Sequence, residues 1–256
     1  MSSVETSRKV LAAVDNSLAG NPVLVTARAL ARVLGARVEG IYVVADSEPP
    51  PHEAAAAVGV PLRVVTGPVV ERLAEAGCAE DTVAMVIGAR SGPTSPHALG
   101  STALAVLASA TKAVVVVPPV GRIAPRITRV LVPLDRVSAS LGPISPIDSV
   151  EGMNVEVVGL HVGVDEVKDA KELLNRFLPS GIGSIRLESR AGKREELVAS
   201  VADELDCDLI AFAWAPEVAI SREELVRGAQ ERSPLPIMLV PAQLERAEGQ
   251  QAVSVH

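Results

Sequence analysis

The chain has 256 residues, of which 48% are hydrophobic but only 2% are aromatic, and its formal net charge at pH 7 is −7. An acidic chain with one Trp, one Tyr and two Phe lacks the basic patches and stacking rings of nucleic-acid-binding proteins, so we expect no nucleic-acid partner. No apolar run reaches the roughly 18 residues of a membrane helix, and the polar start lacks the apolar region of a signal peptide, so we expect a cytoplasmic protein with no membrane partner.

In the first half, apolar strand patterns alternate with helical patterns. Residues 9–15 predict a short strand that ends in an Asp, and residues 22–34 carry apolar side chains at helical spacing before a glycine turn. Further strands are predicted over residues 38–44, 62–67, 83–88 and 114–118, and further helices over 69–76 and 103–110. Such alternation, in a core of Val, Leu, Ile and Ala, predicts an α/β fold with a parallel sheet and right-handed crossovers.

The second half repeats this order of strands. Segments similar to the five strands of the first half occur at residues 129–135, 157–162, 185–192, 208–213 and 237–241, an offset of about 120 residues. Five matches in the same order predict two homologous domains, residues 6–119 and 126–243, each a five-stranded parallel open sheet of Rossmann-like topology. The linker between them, residues 120–125, contains Gly and Pro.

One edge of the first predicted sheet collects the residues of interest. In open parallel sheets, ligands bind beyond the carboxyl ends of the strands, where the strand order reverses. Asp15 lies at the end of the first strand, and a loop rich in Gly and Ser begins at Gly88, after the fourth. We therefore expect a binding site of the first half to lie between these two segments.

These segments resemble the universal stress protein family. The stretch Val14–Ser17, followed by a helix rich in Ala and Leu and by a Gly-Ala turn, is similar to the start of that fold. The segment from Gly88 to Thr102, followed by a helix and an apolar strand, is similar to the family's ATP-binding signature. The resemblance covers nearly the whole chain as a tandem pair. It implies two adenine nucleotide alpha hydrolase-like domains that form a pseudo-dimer within one chain.

The resemblance also implies individual site residues. In family members that bind ATP, the signature is Gly, two residues, Gly, nine residues, and then Gly-Ser or Gly-Thr. Gly88 matches the first position, Ser91 stands at the second, and Gly100 and Ser101 match the closing pair in a loop that is one residue shorter. Thr102 continues the run that contacts phosphate.

The same comparison implies an adenine nucleotide, ATP with Mg²⁺, as the ligand. Asp15 would lie near the adenine and ribose and Val43 beside the adenine, while Arg90 could neutralise phosphate charge. The helix after the loop would present its free N–H groups and the positive end of its dipole to phosphate. However, Pro93 and Pro96 remove two donors from the loop. A second interpretation therefore stays open, in which a nucleotide-free universal stress protein acts through an unknown protein partner or through dimerisation.

The second half lacks the signature. Ala213 occupies the first glycine position, and no Gly-Ser pair precedes the last helix. Glu217, Glu223 and Glu224 would place negative charge where phosphate would bind. We therefore expect the second half to bind no ATP.

We expect a binding protein rather than an enzyme, because no catalytic triad, Cys/His pair or metal-ligand cluster can be placed in the sequence. Cys78 and Cys207 are expected to be buried structural thiols. The apolar fifth strands of the two halves are the edges that pair across dimers in the family. In a tandem chain they can pair with each other, and two chains are then expected to form a homodimer.

Overall fold

Ten strands form one continuous open sheet in the computed structural model, which describes residues 8–44, 48–89, 99–134, 155–163, 184–214 and 222–241. The strands are β1 Lys9–Ala13, β2 Arg37–Val44, β3 Leu62–Thr66, β4 Thr82–Gly88, β5 Ala113–Val117, β6 Arg129–Leu134, β7 Glu156–Val162, β8 Ser184–Arg190, β9 Leu209–Trp214 and β10 Ile237–Pro241. The helices are α1 Gly20–Val33, α2 His52–Ala57, α3 Val69–Cys78, α4 Ser101–Ser109, α5 Arg194–Glu204 and α6 Arg222–Gln230. None of the helices in these ranges combines the length and the apolar character that a membrane crossing requires.

The strand order is β3-β2-β1-β4-β5-β10-β9-β6-β7-β8. Every neighbouring pair is parallel except β5 and β10, which pair antiparallel, and we call this pairing the seam. Read outwards from the seam, the two halves have the same internal order. The α/β fold with a mostly parallel sheet and the pairing of the two fifth strands within the chain were both predicted and are confirmed. The division into two domains stays a prediction.

Hydrophobic cores lie on both faces of the sheet. The central strands β1 and β5 are buried along their whole length, because helices cover both faces of such strands. On the face that α1 covers, the core runs across the seam, since Val115 of β5 and Met238 of β10 belong to the same cluster as Leu30 of α1. On the other face, α4 contacts α6 across the seam.

The linker is held by both halves. Arg122 donates hydrogen bonds to the carboxylate of Asp206, at 3.1 Å, and to the main-chain oxygen of Cys207. From the other side, the guanidinium of Arg32 in α1 donates to the main-chain oxygen of Pro125 at 3.1 Å. These contacts limit how far the linker can move relative to either half.

An ion network lies at the amino end of the first half of the sheet. Lys9 is buried, and its Nζ lies 3.1 Å from the Asp81 carboxylate and 3.8 Å from that of Glu39. The guanidinium of Arg37 lies 3.0 Å from the same Asp81 oxygen. Partial burial acts to raise the pKa of Asp81, but the hydrogen bonds and charges of Lys9 and Arg37 lower it below its ordinary value. The network therefore favours the ionised form of Asp81.

The two cysteines differ in exposure. Cys207 is fully buried as expected, and burial raises the pKa of its thiol to about 11. The expectation of a buried thiol is wrong for Cys78, which is exposed at the end of α3. Cys78 follows the buried Leu73 by five positions, which places it roughly 140° around the helix from that side chain.

Candidate functional site

A cavity of about 310 Å³ lies beyond the carboxyl ends of β4, β1 and β2. Six of the residues that the sequence analysis selected line this cavity: Asp15, Val43, Gly88, Gly100, Ser101 and Thr102. Arg90 and Ser91 lie outside the described residues. The structure therefore brings together all the selected residues that it describes.

The loop that begins at Gly88 is closed at its base by main-chain hydrogen bonds. The Ala89 N–H donates to the Val117 oxygen at 2.8 Å, and the Gly100 N–H donates to the Ala89 oxygen at 2.7 Å. Gly100 precedes α4 in an extended conformation, and among the described residues no side chain caps this helix. The first turn of α4, which starts at Ser101, therefore offers backbone N–H groups and the positive end of the helix dipole to the cavity.

Asp15 is fixed by a tight turn after β1. Its Oδ1 accepts hydrogen bonds from the Ser17 N–H at 3.0 Å and from the Ser17 hydroxyl at 2.5 Å. Its Oδ2 has no hydrogen-bond partner among the described residues. A Cβ at Gly20, the first residue of α1, would come within 2.6 Å of the Asp15 main-chain oxygen. Glycine at that position therefore lets the helix start directly behind the turn.

A second carboxylate lines the same cavity from the segment after β2. The side-chain amide of Asn16 donates to Oε2 of Glu48 and to the Pro49 oxygen, at 3.0 Å in both cases. The hydroxyl of Tyr42 donates to the Glu48 main-chain oxygen at 3.3 Å. Sequence reasoning did not select Asn16, Tyr42 or Glu48. Asn16 could have been found because it follows Asp15 directly, whereas no pattern distinguishes Glu48.

The lining of the cavity carries negative charge in one part and hydrogen-bond donors in another. Asp15 and Glu48 are the charged residues among its described lining, and both are acidic. The opposite end holds the first turn of α4 and the hydroxyls of Ser101 and Thr102. Such a cavity suits a molecule with an anionic group at one end and hydrogen-bond donors at the other. The described residues hold no group of three or more His, Cys, Asp or Glu that could bind a metal ion.

A larger, shallower groove of about 790 Å³ lies between β3 and α3. Its charged side chains are paired with one another: Arg63 contacts Glu39 at 2.8 Å, and Arg72 contacts Glu75 at 2.8 Å. It contains none of the residues that the sequence analysis selected. Because its charges are already paired, we do not consider it the candidate site.

The corresponding edge of the second half falls partly outside the described residues. Glu217 lies in an undescribed stretch, and the described α6 begins at Arg222. The expectation that this half binds no ATP therefore stays a prediction.

No protein-family model matches the sequence, and a search of curated proteins finds no significant match. Solved structures do match. A universal stress protein from Archaeoglobus fulgidus DSM 4304 superimposes with a TM-score of 0.61 at 17% identity, over 92% of this chain and 98% of that chain. A putative universal stress protein from Pseudomonas aeruginosa UCBPP-PA14 gives 0.58 at 13% identity, over 92% and 94% of the two chains. A functionally unknown protein from Pseudomonas aeruginosa PAO1 gives 0.57 at 13% identity, over 92% and 93%. These similarities extend over nearly the whole chain and confirm the resemblance at the level of the fold: the chain has the universal stress protein fold.

Proposed function

We propose that this chain is a stress-response regulatory protein that binds an adenine nucleotide, of the ATP or AMP type, in the cavity of its first half. The observation that carries the proposal is the position of the uncapped first turn of α4, which faces the same cavity as Asp15 and Val43. An N-terminal helix turn favours phosphate, and a carboxylate oxygen beside it suits a sugar hydroxyl.

The described residues fit such a ligand part by part. Gly100 allows the backbone to approach the phosphates closely, and the hydroxyls of Ser101 and Thr102 add donors. The Oδ2 of Asp15 can accept from a ribose hydroxyl, and the apolar side chain of Val43, which is 8% exposed, offers a surface for the adenine. The cavity of about 310 Å³ lies at the lower end of the range for ligand pockets, roughly 300–1,000 Å³. Mg²⁺ would arrive with ATP and be held mainly by its phosphates and by water.

We propose a binding role without catalysis, in the cytoplasm. The described lining contains no His, Lys or Cys that could act as a base or nucleophile beside the phosphates. Because β5 and β10 are paired with each other, the proposed homodimer would use another surface of each chain.

The alternative is a nucleotide-free protein that acts through a protein partner. One observation favours it: Pro93 and Pro96 remove two N–H donors from the loop after Gly88, and Ser91 stands at the second glycine position of the signature.

The substitution Gly100→Asp tests the proposal. Aspartate is a good N-cap residue, so α4 and the fold should be retained. Its carboxylate would repel phosphate, at roughly 4 kcal/mol for unit charges 4 Å apart at a partly exposed site. Allowing for solvent screening, we expect the affinity for ATP to fall at least about a hundredfold.

Titration calorimetry of nucleotide-stripped protein with ATP and Mg²⁺ measures this change. The matched control is Lys193→Asp, which places an aspartate at the extended N-cap of α5 in the second half, where it does not line the cavity. The control should leave the affinity unchanged. An ATP affinity in Gly100→Asp equal to that of the unsubstituted protein would refute the proposed site.

A further inference from the structure

We infer that Glu48 is a specificity-determining residue, which restricts the cavity to nucleotides whose ribose hydroxyls carry no phosphate. This inference rests on the proposed function and names the class of adenine nucleotide that the site accepts. It starts from the position of the Glu48 side chain, which lines the cavity from the segment after β2.

Glu48 is held in place before any ligand arrives. Asn16 donates to its carboxylate and to the main-chain oxygen of Pro49, and Tyr42 donates to its main-chain oxygen. Two hydrogen bonds thus tie the segment after β2 to the turn after β1, and a third ties it to β2 itself. A carboxylate fixed in this way loses little conformational entropy when a ligand binds.

Each of the two carboxylates in the cavity keeps one oxygen for a ligand. Oδ1 of Asp15 and Oε2 of Glu48 accept hydrogen bonds from the protein. The other oxygen of each has no partner among the described residues. An ionised carboxylate only accepts hydrogen bonds, so this end of the cavity attracts hydroxyl and amino groups and repels phosphate.

The contact of Glu48 with the turn after β1 indicates which part of a nucleotide it would meet. Gly88, Asp15 and Glu48 follow the adjacent strands β4, β1 and β2, in that order across the sheet. Asn16, the neighbour of Asp15 in the turn after β1, donates to the Glu48 carboxylate at 3.0 Å, so the two carboxylates line the same side of the cavity. A nucleotide with its 5′-phosphate at α4 therefore directs its ribose toward Asp15 and Glu48. A second phosphate on the 2′- or 3′-oxygen would meet both carboxylates.

The test compares AMP with adenosine 2′,5′-bisphosphate and adenosine 3′,5′-bisphosphate by titration calorimetry. We expect the unsubstituted chain to bind AMP at least about tenfold more tightly than either bisphosphate. Glu48→Gln keeps the size of the side chain but removes its charge. We expect the ratio of the AMP affinity to the bisphosphate affinity to be about tenfold smaller in this variant, chiefly because the variant binds the bisphosphates more tightly.

Glu53→Gln is the matched control, because Glu53 is an exposed residue in the first turn of α2 and does not line the cavity. In Glu53→Gln, the ratio of the AMP affinity to the bisphosphate affinity should equal that of the unsubstituted chain. Far-UV circular dichroism checks that both variants are folded. If AMP binds but Glu48→Gln leaves the ratio unchanged, the role of Glu48 is refuted and the proposed function stands. If the unsubstituted chain binds ATP but none of these nucleotides, the role of Glu48 is overturned and the proposed function stands. If it binds neither these nucleotides nor ATP, both proposals are overturned.

Discussion

A double-mutant cycle across the seam tests whether the two halves unfold as one cooperative unit. Val115 of β5 lies opposite Met238 of β10, both are fully buried, and both belong to the core on the α1 face. Val115→Ala removes two buried carbons at about 0.8 kcal/mol each and leaves a cavity, so we expect a loss of roughly 2–3 kcal/mol in the free energy of unfolding. Met238→Ala should cost about 2–5 kcal/mol. Because the two side chains face each other, their effects should couple by roughly 0.5–3 kcal/mol.

Urea unfolding followed by circular dichroism and by fluorescence measures these energies. Trp214, the single Trp of the chain, lies in β9 and so reports from the second half. Val115 lies on the other side of the seam, and we expect Val115→Ala to shift the fluorescence midpoint as well as the dichroism midpoint.

A control cycle pairs Val115 with Val157 of β7, a fully buried residue four strands away, or roughly 19 Å. Those two effects should add to within about 0.5 kcal/mol. The reasoning is refuted if the Val115 and Met238 effects also add to within that margin, or if Val115→Ala leaves the Trp214 transition unchanged.

Two further predictions concern titratable groups. The lowered pKa of Asp81 means that its ion pairs stabilise the fold above pH 3.8, the ordinary Asp value, and that this stability is lost as the pH falls through the lower folded-state pKa. Asp81→Asn should therefore lower the free energy of unfolding at pH 7 but not at a pH below the folded-state pKa, as measured by urea unfolding at both; an equal loss at both would contradict the assignment. In the native protein at pH 8, a thiol reagent should modify the exposed Cys78 quickly and leave Cys207 unmodified, since burial raises the pKa of that thiol to about 11. Both thiols should react in urea, and rapid modification of Cys207 without denaturant would contradict its burial.

The sequence was sufficient to predict the order and nature of most elements, because each strand is a short apolar run and each run occurs twice. The first helix was predicted from residue 22 and begins at Gly20, a shift that turn geometry explains, since the Gly20 backbone packs against Asp15. The helix α2 was not predicted, because its six residues span less than two turns and give no periodic signal. The register of the seam was also beyond prediction, since it depends on contacts between residues about 120 positions apart.

At the site, sequence reasoning identified residues that belong to a motif and missed those that only the fold brings near. Gly88 and Gly100 were found because they match the ATP-binding signature that the sequence resembles. Glu48 was missed because the hydrogen bonds that hold it at the cavity follow from the fold and not from a sequence motif. Asn16 lies more than 30 positions away along the chain, and Tyr42 donates from within β2. Cys78 was assigned to the core because it precedes an apolar run, but the helix was predicted only over residues 69–76. The helix α3 extends to Cys78 and leaves this residue exposed.

The most direct test of the central claim is titration calorimetry of the nucleotide-stripped 256-residue chain with ATP and Mg²⁺, with AMP and cyclic AMP as competitors. We predict micromolar binding at one site per chain. In the first half, the uncapped start of α4 faces the same cavity as Asp15 and Val43, whereas the sequence of the second half has no Gly-Ser pair before its last helix. The absence of heat at millimolar ATP would contradict nucleotide binding and would favour the protein-partner alternative.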